Sequence, residues 1–299
     1  MNLLTPAAPA TVDIAQSVPH SPGYWATVAG RLWRDKATLV FGVLLAAIVL
    51  SAIFAPLIAP ADPYKANIIR RLKEIGYPGH VLGTDQTGRD MLSRLIYGGR
   101  LSLFMGVMPV GIAMLIGGLL GVLAGYVGGA LNMAIMRTMD IFYAFPSVLL
   151  AIAISGALGA GIGNAILSLS IVFIPPIARV AETITTQVRG LDYVEAARAS
   201  GASSLRIIRV HVLSNVLGAI FVYATSLISV SIILASGLSF LGLGTKPPEP
   251  EWGLMLNELR QAIYVNPYVA ALPGAMIFLT SLSFNLLSDG LRSAMDLKS

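Results

Sequence analysis

Six long apolar runs alternate with polar connections along the chain. They lie at about Ala37–Ala59, Leu101–Gly125, Asn132–Ser155, Gly163–Ile177, Val212–Ser236 and Pro267–Leu287. At about 1.5 Å per residue, runs of this length cross a hydrocarbon core of about 30 Å as helices. Residues 1–30 are different: Pro6, Pro9, Pro19 and Pro22 interrupt a stretch with almost no apolar periodicity. Such a stretch buries too little surface to order itself and predicts an unstructured tail. It has no basic start leading into an apolar core, so it does not read as a signal peptide. The pattern therefore divides the chain into a tail at 1–30, a first membrane helix and loop at 31–100, and a five-helix core at 101–299.

Smaller signals refine this outline. In the first loop, Thr87 and Asp90 are placed to cap a helix that reaches Tyr97 and stops at Gly98-Gly99. Gly117, Gly121 and Gly125 recur every four residues, and Gly129 continues the series. That spacing lets a second helix backbone approach closely, including one from the same chain. Arg137 and Asp140 stand three apart near the start of the third run, and Pro146 predicts a kink there. A charge at mid-bilayer costs about 2.5–3.5 kcal/mol, which places this pair at the membrane edge, with a substrate role as the alternative. Ser226, Ser229, Ser231 and Ser236 either line a pathway or bond back to their own helix. After Pro247-Pro-Glu-Pro-Glu251, an amphipathic helix sets Trp252, Met255, Leu259 and Ile263 on one side, with the Trp suited to a membrane interface. Asn266 precedes the last run as its cap.

The connection between the fourth and fifth runs, residues 190–214, is polar and helical in character. Asp192 and Glu195 have the spacing of a capping box, so a short helix starts near Tyr193. Ala196, Ala197 and Ala199 give it helix propensity and a thin face. Gly201 is the stop, since glycine accepts the left-handed conformation that ends many helices. A second helix restarts near Ser203 or Ser204 with Leu205, Ile207, Ile208 and Val212 as its apolar stripe.

Composition agrees with a polytopic all-α membrane protein of six transmembrane helices: 56% of the residues are hydrophobic and only 12% charged. Soluble domains carry about 25% charged residues. The net charge of +5 reads as membrane-flanking Lys and Arg, not as a nucleic-acid surface. Arg31, Arg34 and Lys36, just before the first run, place the N-terminus in the cytoplasm, and six crossings return the C-terminus there. The loop at 60–100 then lies outside, although it holds seven basic residues against four acids. There is no cysteine, which excludes disulfides, thiolate metal sites and a cysteine nucleophile. His80 and Asp85 lack further ligands at suitable spacing, so no metal site is assigned.

Four of these stretches carry a resemblance. Glu195-Ala196-Ala197, three residues, then Gly201 resembles the EAA loop of ABC importer permeases, with His211 and Ser214 where that pattern has Ile and Pro. The words at 80–90 and 97–103, the segment 237–256 and the end at 284–292 resemble the C-type permeases of dipeptide, oligopeptide and nickel importers. The resemblance spans about residues 30–296. It implies the type I importer permease fold in a bacterial-type cytoplasmic membrane. It implies that Asp192, Glu195, Ala196, Ala197 and Gly201 form a coupling helix for an ATPase. It also implies a sister permease, two ATPase subunits holding ATP and Mg, an extracytoplasmic binding protein, and surrounding lipid. Dipeptides or oligopeptides are the expected cargo, with nickel chelates, glutathione or haem-like molecules as alternatives, and no substrate contact is nominated. The chain lacks a Gly-x-x-x-x-Gly-Lys-Ser/Thr phosphate loop, so ATP hydrolysis is expected on another polypeptide, and no cofactor in this one. Two rival classes fare worse. An intramembrane serine protease needs a histidine within a span, and His20, His80 and His211 are not so placed. A secondary transporter would show ionisable residues well inside its spans.

Overall fold

The computed structural model describes residues 24–295, and every regular element among them is helical. Helix α1 (Tyr24–Arg34) leads into α2 (Lys36–Ile53), and the single turn α3 (Ala55–Ile58) completes the first apolar run. Asp35 caps α2, accepting from the Ala37 amide at 3.0 Å. A long loop precedes α4 (Met91–Val127), followed by α5 (Gly129–Tyr143), α6 (Ser147–Leu158) and α7 (Ile162–Arg189). Then come α8 (Asp192–Ala199), α9 (Ser204–Ile207), a π-helical turn at Ile208–Val212, α10 (Leu213–Phe240), α11 (Trp252–Leu259) and α12 (Pro267–Met295). Of the tail expected over 1–30, residues 1–23 lie outside the described residues, while 24–30 are the first turns of α1.

Five of these helices are long and apolar enough to cross a membrane, and a sixth crossing exists only if α5 and α6 count together. The third run is thus not the continuous helix its hydropathy suggests. Its halves meet at 88°. Pro146 accounts for the break, since it lacks the N–H for an i−4 bond and its ring crowds the preceding turn. It sits in the N-cap of α6, three residues after α5 ends. Other prolines do not break their helices. The fourth run does not stop near Ile177: α7 continues through Pro175 and Pro176 to Arg189, with α4 packed along that stretch. Gly98 and Gly99 do not end a helix either, and α4 runs through both. Their role is packing: a Cβ on Gly98 would lie 3.0 Å from the Trp252 ring, and one on Gly99 3.1 Å from the Ala52 Cβ.

The tightest packing in the bundle is between α4 and α7, and the glycine series explains it. A Cβ on Gly117 would lie 2.7 Å from the Ile174 carbonyl oxygen, one on Gly121 2.3 Å from that of Ala178, and one on Gly125 2.6 Å from that of Glu182. The partner helix therefore belongs to the same chain. Gly129 does not continue the contact; it has a positive φ in the turn before α5 and nothing nearby. One hydrophobic core gathers Met105, Leu169, Phe173, Ile177, Ile207 and Val212 between α4, α7 and the α9–α10 segment. A second gathers Met91, Leu95, Ile232, Trp252 and Val269 around α11. Arg189 donates to the Tyr126 carbonyl at 3.0 Å, so α4 and α7 finish level at the end that carries α8.

Candidate coupling helix and the opposite cap

Helix α8 begins and ends as its sequence predicts, but by a different start. Leu191, not Asp192, occupies the cap position, and it has no side-chain oxygen to offer. The capping box therefore does not close. Asp192 and Glu195 sit in the first turn instead, where their negative charge opposes the positive end of the helix dipole. Both are exposed, as are Ala196, Arg198 and Ala199. One side chain anchors the helix: Val194 is fully buried in the first core with Ile207 and Val212, and Ala197 packs partly against it. The result is a short helix pinned on one side, with two carboxylates and an alanine surface free on the other.

The stop is a Schellman turn. The Ala202 amide donates to the Ala197 carbonyl at 3.1 Å and the Gly201 amide to that of Arg198 at 3.0 Å. Gly201 has φ +81°, the left-handed region in which glycine alone is free of Cβ strain. The chain then turns back through α9 as expected, except that Leu205 projects outward instead of joining the apolar stripe. His211 lies beside Tyr193, ring centres 6.0 Å apart, and Asn215 donates to the Tyr193 hydroxyl at 3.2 Å. The Ser214 hydroxyl donates to the Val210 carbonyl at 2.7 Å. The His211 and Asn215 contacts tie α8 to the root of α10.

A family model described as the binding-protein-dependent transport system inner membrane component matches residues 117–298, which include α8 and its flanking spans. The chain belongs to that permease family. The model of the N-terminal TM domain of oligopeptide transport permease C matches residues 23–74. A glutathione transport system permease protein, GsiD, from Pectobacterium atrosepticum is 41% identical over 92% of this chain and 91% of its own length. A dipeptide transport system permease protein, DppC, from Alkalihalophilus pseudofirmus is 39% identical over 99% of this chain and 96% of its own. Among solved structures, an inward-facing MetNI methionine ABC transporter superimposes with a TM-score of 0.57 at 20% identity, covering 68% of this chain and 97% of the matched one. That likeness concerns the fold. The protein is accordingly an ABC importer permease subunit, multi-pass in the inner membrane.

The end of the permease opposite α8 is closed by an ionic cluster that hydropathy does not reveal. Arg89 donates to Asp85 at 2.6 Å and to Glu258 at 2.9 Å. Arg94, fully buried, donates to Glu258 at 3.0 Å and to the carbonyls of Pro63 and Pro248. His80 bonds Asp90 at 2.9 Å, and Asp90 caps α4 through the Ser93 amide at 2.8 Å. His80 and Asp85 thus serve two separate pairs. Trp252 is not at a lipid interface; it is buried, with its indole N–H donating to the Leu95 carbonyl at 2.9 Å. Ile263 falls beyond α11 and is exposed. Glu251 heads α11, accepting from Gly253 and Leu254 amides at 2.9 and 2.8 Å and from the Ser102 hydroxyl at 3.0 Å. The family words at 80–90 and 237–256 contain these residues, and sequence reasoning noted the words without seeing that they bind each other. In α10, Ser226 and Ser229 bond back to carbonyls of their own helix. Asp140 pairs across helices with Arg179 of α7, a partner that the i, i+3 spacing to Arg137 did not suggest.

Proposed function

We propose that this permease forms half of the pathway of an ATP-driven peptide importer and receives the ATPase stroke through α8. The observation that carries the proposal is the anchoring of α8: Val194 is buried in the first core with Ile207 and Val212 while Asp192, Glu195, Ala196 and Ala199 stay exposed. A thin alanine surface permits close approach by another protein, and the carboxylates supply polar contacts. A sister permease completes the pathway, two ATPase subunits hold ATP and Mg beneath it, and a binding protein delivers cargo at the opposite end. The α8 end faces the cytoplasm, together with α1 and the end of α12. That orientation is supported by Arg31, Arg34 and Lys36, and by the cluster at the other end, where Arg89 and Arg94 are neutralised internally and weigh little in the positive-inside count. Closure of the ATPases then moves α8, and α7 and α10 follow, shifting the pathway between outward and inward access.

The cargo is a dipeptide or short oligopeptide. Glutathione, itself a tripeptide, is the second candidate because relatives bearing that name match at 41% or more. The test is purification of the chain from mildly solubilised membranes. A second permease and ATPase subunits should co-purify, and Gly201→Asp should leave the chain inserted while abolishing uptake. A chain that purifies alone, or a Gly201→Asp variant with normal uptake, would overturn the assignment.

A further inference from the structure

We propose that α1 is a membrane-surface helix that binds the headgroups of anionic phospholipids through Arg34 and Lys36, with Trp33 set into the edge of the bilayer beside them. The inference goes beyond the importer reading and needs only that α2 spans the membrane. α2 begins at Lys36, and Lys36–Ile53 is an apolar span with a mean hydropathy of 2.3. α1 ends at Arg34, so its last turn is held where the span enters the bilayer. α12 marks the same level: a Cβ on Gly290 would lie 2.0 Å from the Thr38 hydroxyl oxygen, and α1 packs on α12 as well. Val28 of α1 lines one groove with Leu291 and Met295, in the last turns of α12.

The helix presents three faces at this surface. Val28 is 4% exposed and turned to the bundle, with Arg31 and Leu32 partly buried beside it. At about 100° per residue, Trp33 lies about 140° round the helix from Val28, and Arg34 about 100° further on. Trp33 is 74% exposed, and Arg34 is exposed too. An indole left in water forgoes the burial its large ring would gain, whereas at the headgroup boundary both its apolar body and its N–H are satisfied. Next along the chain, Val40 and Val43 of α2 are 63% and 69% exposed, an apolar surface suited to hydrocarbon. Bundle, bilayer edge and headgroup layer thus meet the three faces in turn, which is the placement of an amphipathic helix lying in an interface.

The charges then select the lipid. Asp35 sits between the two cations, but its carboxylate is turned onto the positive end of α2, where it accepts the Ala37 amide at 3.0 Å and the Thr38 hydroxyl. Asp289 and Arg292, both exposed near the end of α12, offset each other. Arg34 and Lys36 are left as exposed cations on either side of the corner between α1 and α2. A zwitterionic headgroup brings its own ammonium to such a site, and an anionic one does not. Each Lys or Arg close to an anionic surface strengthens attachment about fivefold. The planar Arg34 guanidinium also offers paired donors that match phosphate oxygens.

A phosphatidylglycerol with a photoreactive group on its headgroup tests this in the assembled complex, reconstituted in phosphatidylcholine nanodiscs. Crosslinks mapped by mass spectrometry should fall on the segment around Trp33. Added unlabelled phosphatidylglycerol should suppress them, and added phosphatidylcholine should not. Arg34→Gln combined with Lys36→Gln should lower crosslinking there about fivefold or more, compared at equal recovery of the complex. Arg34→Lys combined with Lys36→Arg keeps both charges and should retain it. No crosslink to α1 in the wild-type complex would mean that another subunit covers this face, and would overturn the proposal. Suppression by phosphatidylcholine as strong as by phosphatidylglycerol would overturn it too, by removing the preference for an anionic headgroup. So would wild-type crosslinking in the double glutamine variant.

Discussion

Glu251 is almost wholly buried at the head of α11, outside the spanning helices, yet it is an acid. Burial pushes its carboxyl above the usual glutamate range, against the pull of the Gly253 and Leu254 amides and the serine hydroxyls. An acid raised in this way holds its proton more firmly folded than unfolded. Its contribution to stability is therefore fully present below the unfolded pKa and is lost as pH rises through the folded one. Glu251→Gln removes the charge and keeps one acceptor oxygen, so its melting temperature should change less than wild type between about pH 5 and about pH 8. Parallel pH profiles would show that Glu251 does not titrate in that window. The glycines allow an equally direct experiment. A methyl on Gly121 would meet backbone, the Ala178 carbonyl at 2.3 Å, which cannot rotate away. Gly121→Ala should cost about 1–3 kcal/mol by overpacking. Gly111, with open space around it, tests the comparison: Gly111→Ala should leave thermal unfolding in detergent near the wild-type midpoint.

At the scale of elements, what could be read from sequence depended on whether the deciding contact was local. The extent of α8 was legible because Gly201 and the Schellman turn involve only neighbours in the chain. Its capping box was misread because the box places Asp192 one position too early; the chain turns at Leu191, and Val194 packing sets the phase. Gly98-Gly99 looked like a stop because nothing in the local sequence announces that Trp252 and α2 lie against those glycines. Pro146 was correctly seen as a disturbance, but whether a proline bends a helix by a few degrees or breaks it depends on support from neighbours. α7 has that support from α4 at Pro175-Pro176, and α5–α6, with an exposed break, does not. The anchoring of α8 separates docking from folding experimentally. Ala196→Trp adds bulk on the exposed side and should abolish co-purification of ATPase subunits with little change in the melting temperature of the permease. Val194→Asp puts a charge into the core and should lower both. An Ala196→Trp permease that still holds its ATPases would place the docking surface elsewhere.

Across the whole molecule, hydropathy identified the spans and the family words identified the permease, but neither showed how the two ends of the bundle differ. At the α8 end, charged groups are exposed and a helix is offered outward. At the other end, charged groups turn inward and lock the loop before α4 onto α11. Three of the seven basic residues at 60–100 are engaged within the bundle: Arg100 donates to the carbonyls of Ala52 and Ile53, and Arg89 and Arg94 pair with Asp85 and Glu258. The lock should behave as a unit. Arg94 touches two loop carbonyls and Glu258 at once, so Arg94→Ala leaves Glu258 short of a partner in a mostly buried site, and Glu258→Ala leaves two guanidiniums in the same position. Breaking a buried pair from one side costs about 3–5 kcal/mol. Removing both partners should cost clearly less than the two single losses together, because the second substitution removes a charge already stranded by the first. Limited proteolysis should localise the effect: cleavage in the loop ahead of α4 accelerates in Arg94→Ala, while cleavage around α8, at the far end of the bundle, keeps its wild-type rate. Strictly additive losses in the double variant, or acceleration at both ends alike, would mean that the cluster is not a lock on this loop and that α11 is held by Trp252 and its apolar neighbours alone.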